Sequence, residues 1–262
     1  MTSFFHDIRY GLRILAKSPR FSIFAILTLA IGIGAVTAIF SVVNSVLIRP
    51  LPFEQPGQLV QLWGDPTADG RGKNSVAAAE FLDWKEQSRG LEFISINNLT
   101  FRNLTGNGQA QRVKVLQVSS SYLRILRMQP LLGRDFLLDE DQPGKDKTVI
   151  LSYRLWQQGF GGDTNRIGQT IRLNDDNYTI IGVLPPKPSL PDDCDVLAPF
   201  IYGSEPWHYS RGDNRLRVIA RLRSDVTVEQ ERVELNAIKQ RLKSFYPDTK
   251  QKWGVFKDLS FL

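Results

Sequence analysis

The hydrophobic pattern of the chain is dominated by one uncharged run, residues 21–48, which lies between Arg20 and Arg49. A helix over this run would be roughly 42 Å long at about 1.5 Å per residue, against a bilayer hydrocarbon core of about 30 Å. No later stretch of the chain contains a run of this kind. We therefore predict a single transmembrane helix over residues 21–48.

A cleaved signal peptide is the main competing interpretation of this run. Signal peptides have an apolar core of about 7–15 residues, followed by a cleavage site with small residues. The present run is about twice as long, and no persuasive cleavage site follows it. The pattern therefore favours an uncleaved anchor.

The charges that flank the run predict its orientation. The segment before it contains a single acidic residue and four basic residues, Arg9, Arg13, Lys17 and Arg20, whereas no basic cluster follows Arg49. Short flanks rich in Lys and Arg stay in the cytoplasm. We expect residues 1–20 to be cytoplasmic and residues 49–262 to lie outside the cell (inner) membrane, which in a bacterium means the periplasm or its equivalent.

The four basic residues also recur at helical spacing, and a second helical face contains the apolar residues Phe5, Ile8, Leu12 and Leu15. This pattern predicts an amphipathic helix that lies on the anionic inner leaflet, separated from the span by Pro19. The alternative is an ordinary positive-inside flank whose periodicity is incidental.

Small and hydroxyl residues recur every four positions along the predicted span. Ala30, Gly34 and Ala38 form one row, and Thr37, Ser41 and Ser45 form a second. Such rows let helix backbones approach closely and allow hydrogen bonds between helices. Gly and Ala are also common in spans that do not pack. We predict a packed span, whose partner is another copy of the chain or another protein.

The region after the span alternates strand patterns with a few helical ones, which predicts an α+β domain in one or two lobes. A boundary between two lobes would fall at the turn over residues 139–147. Predicted helices cover residues 76–88, with Ser75 as N-cap, residues 120–126, residues 153–160, ending at Gly161 and Gly162, and a segment capped by Thr227 and Gln230. The last helix would present the apolar residues Val228, Leu235, Ile238, Leu242 and Phe245 to the core. Predicted strands cover residues 59–63, 93–96, 98–104, 111–118, 148–151, 166–173, 178–184, 196–200 and 215–222.

Composition and motifs argue against several classes of function. The net charge of +6 is spread thinly beyond the N-terminal flank, without the basic stripe and interleaved aromatics of a nucleic-acid-binding protein. The lone cysteine, Cys194, excludes an intrachain disulfide. No G-x-x-x-x-G-K-[ST] phosphate loop is present, so we expect neither ATP binding of that type nor enzymatic activity, and no cofactor.

Two polar sites remain as candidates. His208 lies in an aromatic segment and would have to serve any Ser-His-Asp site, although a structural or exposed role is expected. Asp192, Asp193 and Asp195 surround Cys194 and could bind a cation, but an acidic solvated turn is the preferred interpretation.

Several segments resemble one family when taken as an ordered set. They are residues 7–15 (DIRYGLRIL), 18–21 (SPRF), 32–53 (GIGAVTAIFSVVNSVLIRPLPF), 81–84 (FLDW), 130–136 (PLLGRDF), 149–152 (VILS) and 180–185 (IIGVLP). Over nearly the whole chain they resemble MacB-type ABC transporter permeases, in particular the stand-alone permeases of the acidobacterial duplicated-permease group. The resemblance implies a MacB-like periplasmic core domain, over residues 49–262, set between the first span and a later membrane domain.

The family also implies a dimer that works with a cytoplasmic ABC ATPase and moves substrates already outside the inner membrane. This chain stops at Leu262, before the FtsX-like permease domain would begin. We therefore expect a permease-family subunit of an ABC exporter, or its N-terminal part, in a homodimer or with an FtsX-like permease. The alternatives are a membrane-anchored periplasmic interaction module without transport activity and, less favoured, an anchored enzyme.

Overall fold

The computed structural model describes residues 10, 17–43, 53–65, 75–106, 110–186, 193–245 and 252–256. The chain divides into two compact units, Met1–Leu51 and Pro52–Leu262. Of the predicted functional residues, Arg9, Arg13 and Ser45 lie outside the described residues, as does Asp192.

The first unit contains one long helix, α1 (Pro19–Val43). It begins two residues before the predicted start, at Pro19, because proline is tolerated in the first turn, where a backbone N–H has no helical partner. Lys17 is helical and Ser18 is not, so the predicted break between the preceding segment and the span falls directly before Pro19, which is the first residue of the helix. The stretch Pro19–Ser41 is long and apolar enough to cross a membrane, with a mean hydropathy of 2.5. Residues 44–48 of the predicted span lie outside the described residues.

The second unit is built on one mixed sheet with helices packed against it. The strands are β1 (Leu59–Asp65), β2 (Val76–Ala77), β3 (Leu91–Thr105), β4 (Gln111–Val118), β5 (Leu132–Gly133), β6 (Thr148–Leu151), β7 (Thr170–Leu173), β8 (Asp176–Val183), β9 (Val196–Pro199), β10 (Asn214–Leu222) and β11 (Lys252–Phe256). The helices are α2 (Ala78–Gln87), α3 (Tyr122–Leu126), α4 (Tyr153–Phe160) and α5 (Val228–Lys243), with short 3₁₀ turns at Pro56–Gln58, Thr164–Arg166 and Pro206–Tyr209.

The strand order is β11-β1-β10-β3-β4-β9-β6-β8-β5, with β2 paired to β10 and β7 paired to β3 and β8. Most pairs are antiparallel, and β4–β9 and β6–β8 are parallel. Strand β3 is the longest of the described strands and joins the two ends of the sheet, since it pairs with β10 through its first half and with β4 and β7 further on. We had predicted two strands in place of β3; the structure shows one continuous strand.

The core of the second unit has two clusters. In the first, Trp84 of α2 and Leu235 of α5 pack with Val218 of β10; in the second, Trp156 of α4 packs with Val115 of β4. Strand β10 and helix α5 follow residues 139–147 but belong to the first cluster, while β4 precedes that turn and belongs to the second. The proposed boundary between lobes at residues 139–147 is therefore wrong, because β3 and its neighbours run through both clusters.

The predicted helix over residues 76–88 begins later, at Ala78. Val76 and Ala77 instead form β2 against β10, and Ala77 is the N-cap, without a side-chain hydrogen bond. Val76 is fully buried, and a β-branched residue suits a strand better than a helix start. Ser75 is thus not the cap. Similarly, the predicted strand over 166–173 is confined to β7, because Thr164–Arg166 forms a 3₁₀ turn and Gly168 has a φ of +84°.

The predicted capping box of α5 is confirmed. The Thr227 hydroxyl accepts a hydrogen bond from the Gln230 N–H at 3.2 Å, and the Gln230 side chain accepts one from the Thr227 N–H at 2.8 Å. Leu235 and Ile238 are buried as expected. Phe245 is 76% exposed, so its assignment to the core was wrong, since the helix ends at Lys243 and Phe245 falls beyond its apolar face.

Candidate functional site

The predicted packing face of α1 is uncovered. Ala30, Gly34, Thr37, Ala38 and Ser41 are all exposed. They lie within one arc of the helix, at about 100° per residue. A Cβ added to Gly34 would meet no atom within 4 Å. Within the described residues, this face is therefore available to another helix. Lys17, which precedes α1, and Arg20, in its first turn, are exposed as well.

The chain enters the second unit through residues 53–58, which we call the exit segment because they follow the predicted span. Phe53 is buried, and Pro56–Gln58 forms a 3₁₀ turn. Gln55, which precedes that turn, has a φ of 50°. A non-glycine residue in the left-handed region is uncommon and requires the surroundings to hold it.

Arg221 of β10 holds the exit segment in place. Its side chain is fully buried. Its Nη2 donates to the Glu54 carbonyl at 3.1 Å, and its Nη1 lies 3.3 Å from both the Gln55 carbonyl and the Gln58 Oε1. Its Nε donates to the Ile125 carbonyl of α3 at 2.6 Å. One guanidinium therefore links the exit segment, α3 and β10.

A second arginine reinforces this joint. Arg127, directly after α3, donates from Nη1 to Glu54 Oε1 at 2.9 Å. Burial lowers the pKa of Arg221 from its usual value, and the nearby Arg127 charge acts in the same direction. An arginine remains charged under such a shift, since its unperturbed pKa is above 12. Carbonyl oxygens accept hydrogen bonds from Arg221, and its positive charge strengthens these bonds.

Sequence analysis missed Arg221. In β10 the alternate residues Leu216, Val218, Ala220 and Leu222 face the core, so Arg221 falls on the face expected to meet solvent. Ile219 on that same face is 1% exposed, which shows that α3 and the exit segment cover this end of the strand. The apolar Ile219 between two arginines was the available signal that the second face is also covered.

The chain returns to the edge where it entered. Strand β11 pairs antiparallel with β1, so that Lys252 lies opposite Asp65 and Phe256 lies opposite Gln61, close to the beginning of β1. The end of β11 is thus beside the exit segment, which leads into β1.

A cleft of about 830 Å³ lies between the two core clusters. On β3, Ile96 belongs to the first cluster and Leu104 to the second, while Asn98, Thr100 and Arg102 line the cleft between them. The Asn98 amide donates to Gln117 Oε1 across the floor at 2.9 Å. The polar residues of β3 therefore separate the two clusters on one face of the sheet.

His208 borders this cleft but has a structural role. It is 2% exposed, and its Nδ1 accepts hydrogen bonds from the N–H groups of Gly203, at 2.9 Å, and Glu205, at 3.4 Å. Burial lowers the pKa of His208, so the neutral imidazole that these bonds require is favoured at neutral pH. Its ring stacks on Tyr202 at 5.8 Å between centroids.

The described acidic residues around the buried Cys194 have structural roles. The Asp195 carboxylate accepts from the Lys114 N–H and from the Arg154 guanidinium, each at 2.9 Å. Arg154 also donates to the Asp193 carbonyl. Within the described part of the chain, no group of three His, Cys, Asp or Glu side chains is arranged to hold a metal ion.

Three of the segments behind the family resemblance meet at one end of the sheet. Gly133 of β5 pairs with Gly182 of β8, and β6 lies beside β8 on its other side. A Cβ on Gly133, whose φ is +77°, would lie 2.1 Å from the Ile181 carbonyl oxygen, and one on Gly182 would lie 2.7 Å from the Arg134 carbonyl oxygen. Only glycine fits at either position without moving backbone, which explains both glycines physically.

Comparison with known proteins decides the family. The family model of the MacB-like periplasmic core domain matches residues 22–238. The chain belongs to this family. Among curated proteins, the macrolide export ATP-binding/permease protein MacB of Bdellovibrio bacteriovorus is 26% identical over 120 residues. That match covers 45% of this chain and 18% of the relative, so the chain spans only a small part of the relative's length.

Solved structures show the same α+β fold in periplasmic and extracellular domains. A domain of a permease protein from Porphyromonas gingivalis superposes with a TM-score of 0.61 at 19% identity, over 79% of this chain and 93% of that one. The periplasmic region of MacB from Actinobacillus actinomycetemcomitans gives 0.55 at 12% identity, over 76% and 88%. The extracellular domain of the ABC-type transporter YknZ from Gram-positive bacteria gives 0.55 at 15% identity, over 76% and 99%. The predicted fold class is thereby confirmed.

Proposed function

We propose that this MacB-family chain is a permease-family subunit of an ABC exporter, or the N-terminal part of one, anchored in the inner membrane by α1 with its N-terminus in the cytoplasm. Its second unit relays ATP-driven motion from the membrane and moves substrates on the periplasmic side. Family membership supports a transport role, and the names of the relatives place similar domains in permeases and ABC-type transporters. The Bdellovibrio relative is named as both ATP-binding and permease protein, whereas the sequence here contains no phosphate loop, so we assign ATP hydrolysis to a partner subunit.

The observation that carries this proposal is the joint at the exit segment. A relay needs a stiff connection between the segment through which the chain enters the second unit and the sheet. Four contacts from the buried Arg221 and one from Arg127 supply such a connection, because they link residues 54–58 to β10 and α3 at distances of 2.6–3.3 Å. A displacement of the exit segment then moves β10 with it, since packed interiors transmit strain.

The uncovered face of α1, with Gly34 at its centre, is suited to close approach by another membrane helix. We propose a second copy of the chain or an FtsX-like permease as its partner.

The test is recovery of partners from the membrane. The tagged chain, expressed from its native locus, is purified in mild detergent and the associated proteins are identified by mass spectrometry, with an unrelated tagged single-span protein as control. An ABC ATPase and an FtsX-like permease, enriched over the control, would support the proposal. Recovery of other periplasmic proteins without any ATPase would contradict it and support an anchored interaction module.

A further inference from the structure

Six strands of the second unit close into a ring. Strand β3 pairs with β4, and the pairing continues through β9, β6, β8 and β7 back to β3. The second core cluster contains residues from all six strands, so it packs inside this ring. Leu173 and Tyr178 of that cluster also line the cleft of about 830 Å³, which therefore lies at the mouth of the ring. Such mouths are frequent sites for small molecules, in cavities of roughly 300–1,000 Å³.

The walls of the cleft are apolar and aromatic. Leu173 and Tyr178 form the wall on the side of the second core cluster, and Phe200 and Trp207 form the wall on the side of the first. The rings of Phe200 and Trp207 meet edge to face, with centroids 6.2 Å apart. Walls of this composition favour a ligand with an apolar body, and they favour an aromatic body most.

The floor of the cleft contains a cation that no described residue neutralises. The Asn98 amide donates to Gln117 at 2.9 Å, and the Thr100 hydroxyl donates to the Val115 carbonyl at 3.2 Å. Arg102, on the same face of β3, is partly buried and lines the cleft. It has no hydrogen bond or ion pair with any residue that the structure describes. Its planar guanidinium offers a fork of N–H donors that matches a carboxylate.

The other cations of the cleft already have acidic partners. The Lys147 ammonium lies 3.0 Å from the Asp176 carboxylate and 3.9 Å from that of Asp146. Arg215 pairs with Asp213 at 2.6 Å. The arginine on the floor is thus the one positive charge of the described lining without an acidic partner.

The acids of the cleft limit a ligand to one negative charge. Asp146 and Asp176 share a single lysine, and Glu205 has no ion pair with a described residue. Glu205 is exposed, so water and salt screen its charge. A second acidic group on the ligand would approach these carboxylates, and juxtaposed like charges oppose binding.

We propose that the cleft binds a small organic monoanion, in which one carboxylate meets the guanidinium of Arg102 and an apolar ring system lies between Tyr178 and Trp207. A carboxylate can accept two parallel hydrogen bonds from an arginine, and partial burial strengthens the pair relative to one in water. The inference goes beyond the proposed function, because the site lies wholly within the second unit and its binding requires neither a partner nor ATP.

The experiment uses three photoreactive probes that share one ring system. The full chain in nanodiscs is irradiated with para-benzoylbenzoate, with the uncharged para-benzoylbenzamide, or with benzophenone that has a para carboxylate on both rings. Mass spectrometry then locates the labelled residues. Arg102→Gln removes the proposed contact. Arg112→Gln is the matched control, because Arg112 lies on the neighbouring strand β4, is exposed, stacks over Phe101 and does not line the cleft.

The proposal expects labelling at Tyr178, Phe200 or Trp207 to be at least about threefold higher with the monocarboxylate than with either other probe. Arg102→Gln should reduce this labelling by a similar factor, and Arg112→Gln should leave it unchanged. Matching melting temperatures would show that both variants are folded.

Equal labelling of the cleft by the amide or the dicarboxylate would overturn the proposal, as would equal labelling in Arg102→Gln. Adducts confined to α1 would report uptake through the lipid alone and would also overturn it. Because the sample contains only this chain, lipid and probe, a negative result is distinct from a failure to recover an ATPase partner.

Discussion

The two units differ in how far their apolar side chains are exposed to solvent. In α1, Phe24 is 74% exposed, Ile31 69% and Val36 68%, and no stripe of the helix is reserved for polar residues. In the second unit, Leu62, Trp84 and Val218 are fully buried. A helix that is apolar on every side is stable only inside a membrane or a large core. The contrast teaches that the second unit carries its own core, whereas the described part of α1 leaves its large apolar side chains uncovered.

Removing a large side chain from each unit should produce opposite results. We expect Trp84→Ala to destabilise the second unit by about 3–5 kcal/mol, because it empties the centre of the first core cluster. Phe40→Ala on α1, where the ring is 60% exposed, should leave the unfolding of the second unit unchanged. Chemical denaturation of both variants in detergent, followed by near-ultraviolet circular dichroism, measures the difference. Equal losses would mean that α1 contributes to the core.

Arg221→Met tests the joint between the exit segment, α3 and β10 within the second unit. The substitution keeps most of the volume but removes four hydrogen bonds and leaves the carbonyls of Glu54, Gln55 and Ile125 without this donor. We expect a loss of about 3 kcal/mol and faster proteolysis within the exit segment. Arg215→Met on the same strand is the control, because Arg215 is exposed and pairs only with Asp213 among its described ionic contacts. Similar proteolysis of the two variants would contradict the assigned role of Arg221.

The second unit should also respond to pH, unlike the uncharged body of α1. Burial raises the pKa of Glu231 on α5 to about 7, opposed by a hydrogen bond from Ser88 and reinforced by the Glu234 charge. The folded state therefore holds a proton that the unfolded chain releases near pH 4.5. For Glu231 alone, the free energy of unfolding should be highest below about pH 4.5. It should decrease by up to about 3 kcal/mol as the pH rises through 7.

Glu231→Gln should flatten that decline, while Glu229→Gln, an exposed neighbour on the same helix, should not. Unfolding curves collected between pH 5 and pH 8 (roughly the range in which the group titrates) give the comparison. A smaller residual slope is expected near pH 6 from Asp135, whose pKa burial raises to about 6. A decline of unchanged size in Glu231→Gln would show that another group is responsible.

The smallest effect concerns α1 and its partner. Gly34→Leu should weaken association of the span by about 1–2 kcal/mol, because it fills the close-approach face. Gly32→Leu is the matched control: it adds the same side chain roughly 200° away around the helix, and a Cβ there also meets nothing within 4 Å. Disulfide-independent crosslinking in membranes, compared between the two variants, reports the association. Equal crosslinking of the two variants would contradict the assignment of the Gly34 face as the packing face.

Local features were predictable from the sequence where a few neighbouring residues decide them. The capping box at Thr227 and Gln230 and the glycine end of α4 depend on contacts within a short segment. Strand β6 was predictable from its run of apolar residues, three of which are buried. The family resemblance was confirmed as well, since the family model matches residues 22–238.

Features that depend on distant partners were not predictable. Val76 reads as the start of a helix until β10, well over a hundred residues later, offers it a strand partner. Arg221 looks like a solvent-facing residue until the exit segment and α3 cover it. The order of the strands places β10 between β1 and β3, which no pattern in the sequence specifies. These are non-local pairings, in which tertiary contacts override local preference.

The proposed relay requires one topology, in which α1 separates a cytoplasmic start from a periplasmic second unit. Single cysteines replace Lys17 and Ser204, both exposed, in a chain with Cys194→Ser, and spheroplasts are treated with a membrane-impermeant maleimide. We predict labelling of Ser204→Cys in intact spheroplasts and of Lys17→Cys only after lysis. Labelling of Lys17→Cys in intact spheroplasts, with Ser204→Cys protected until lysis, would contradict the account.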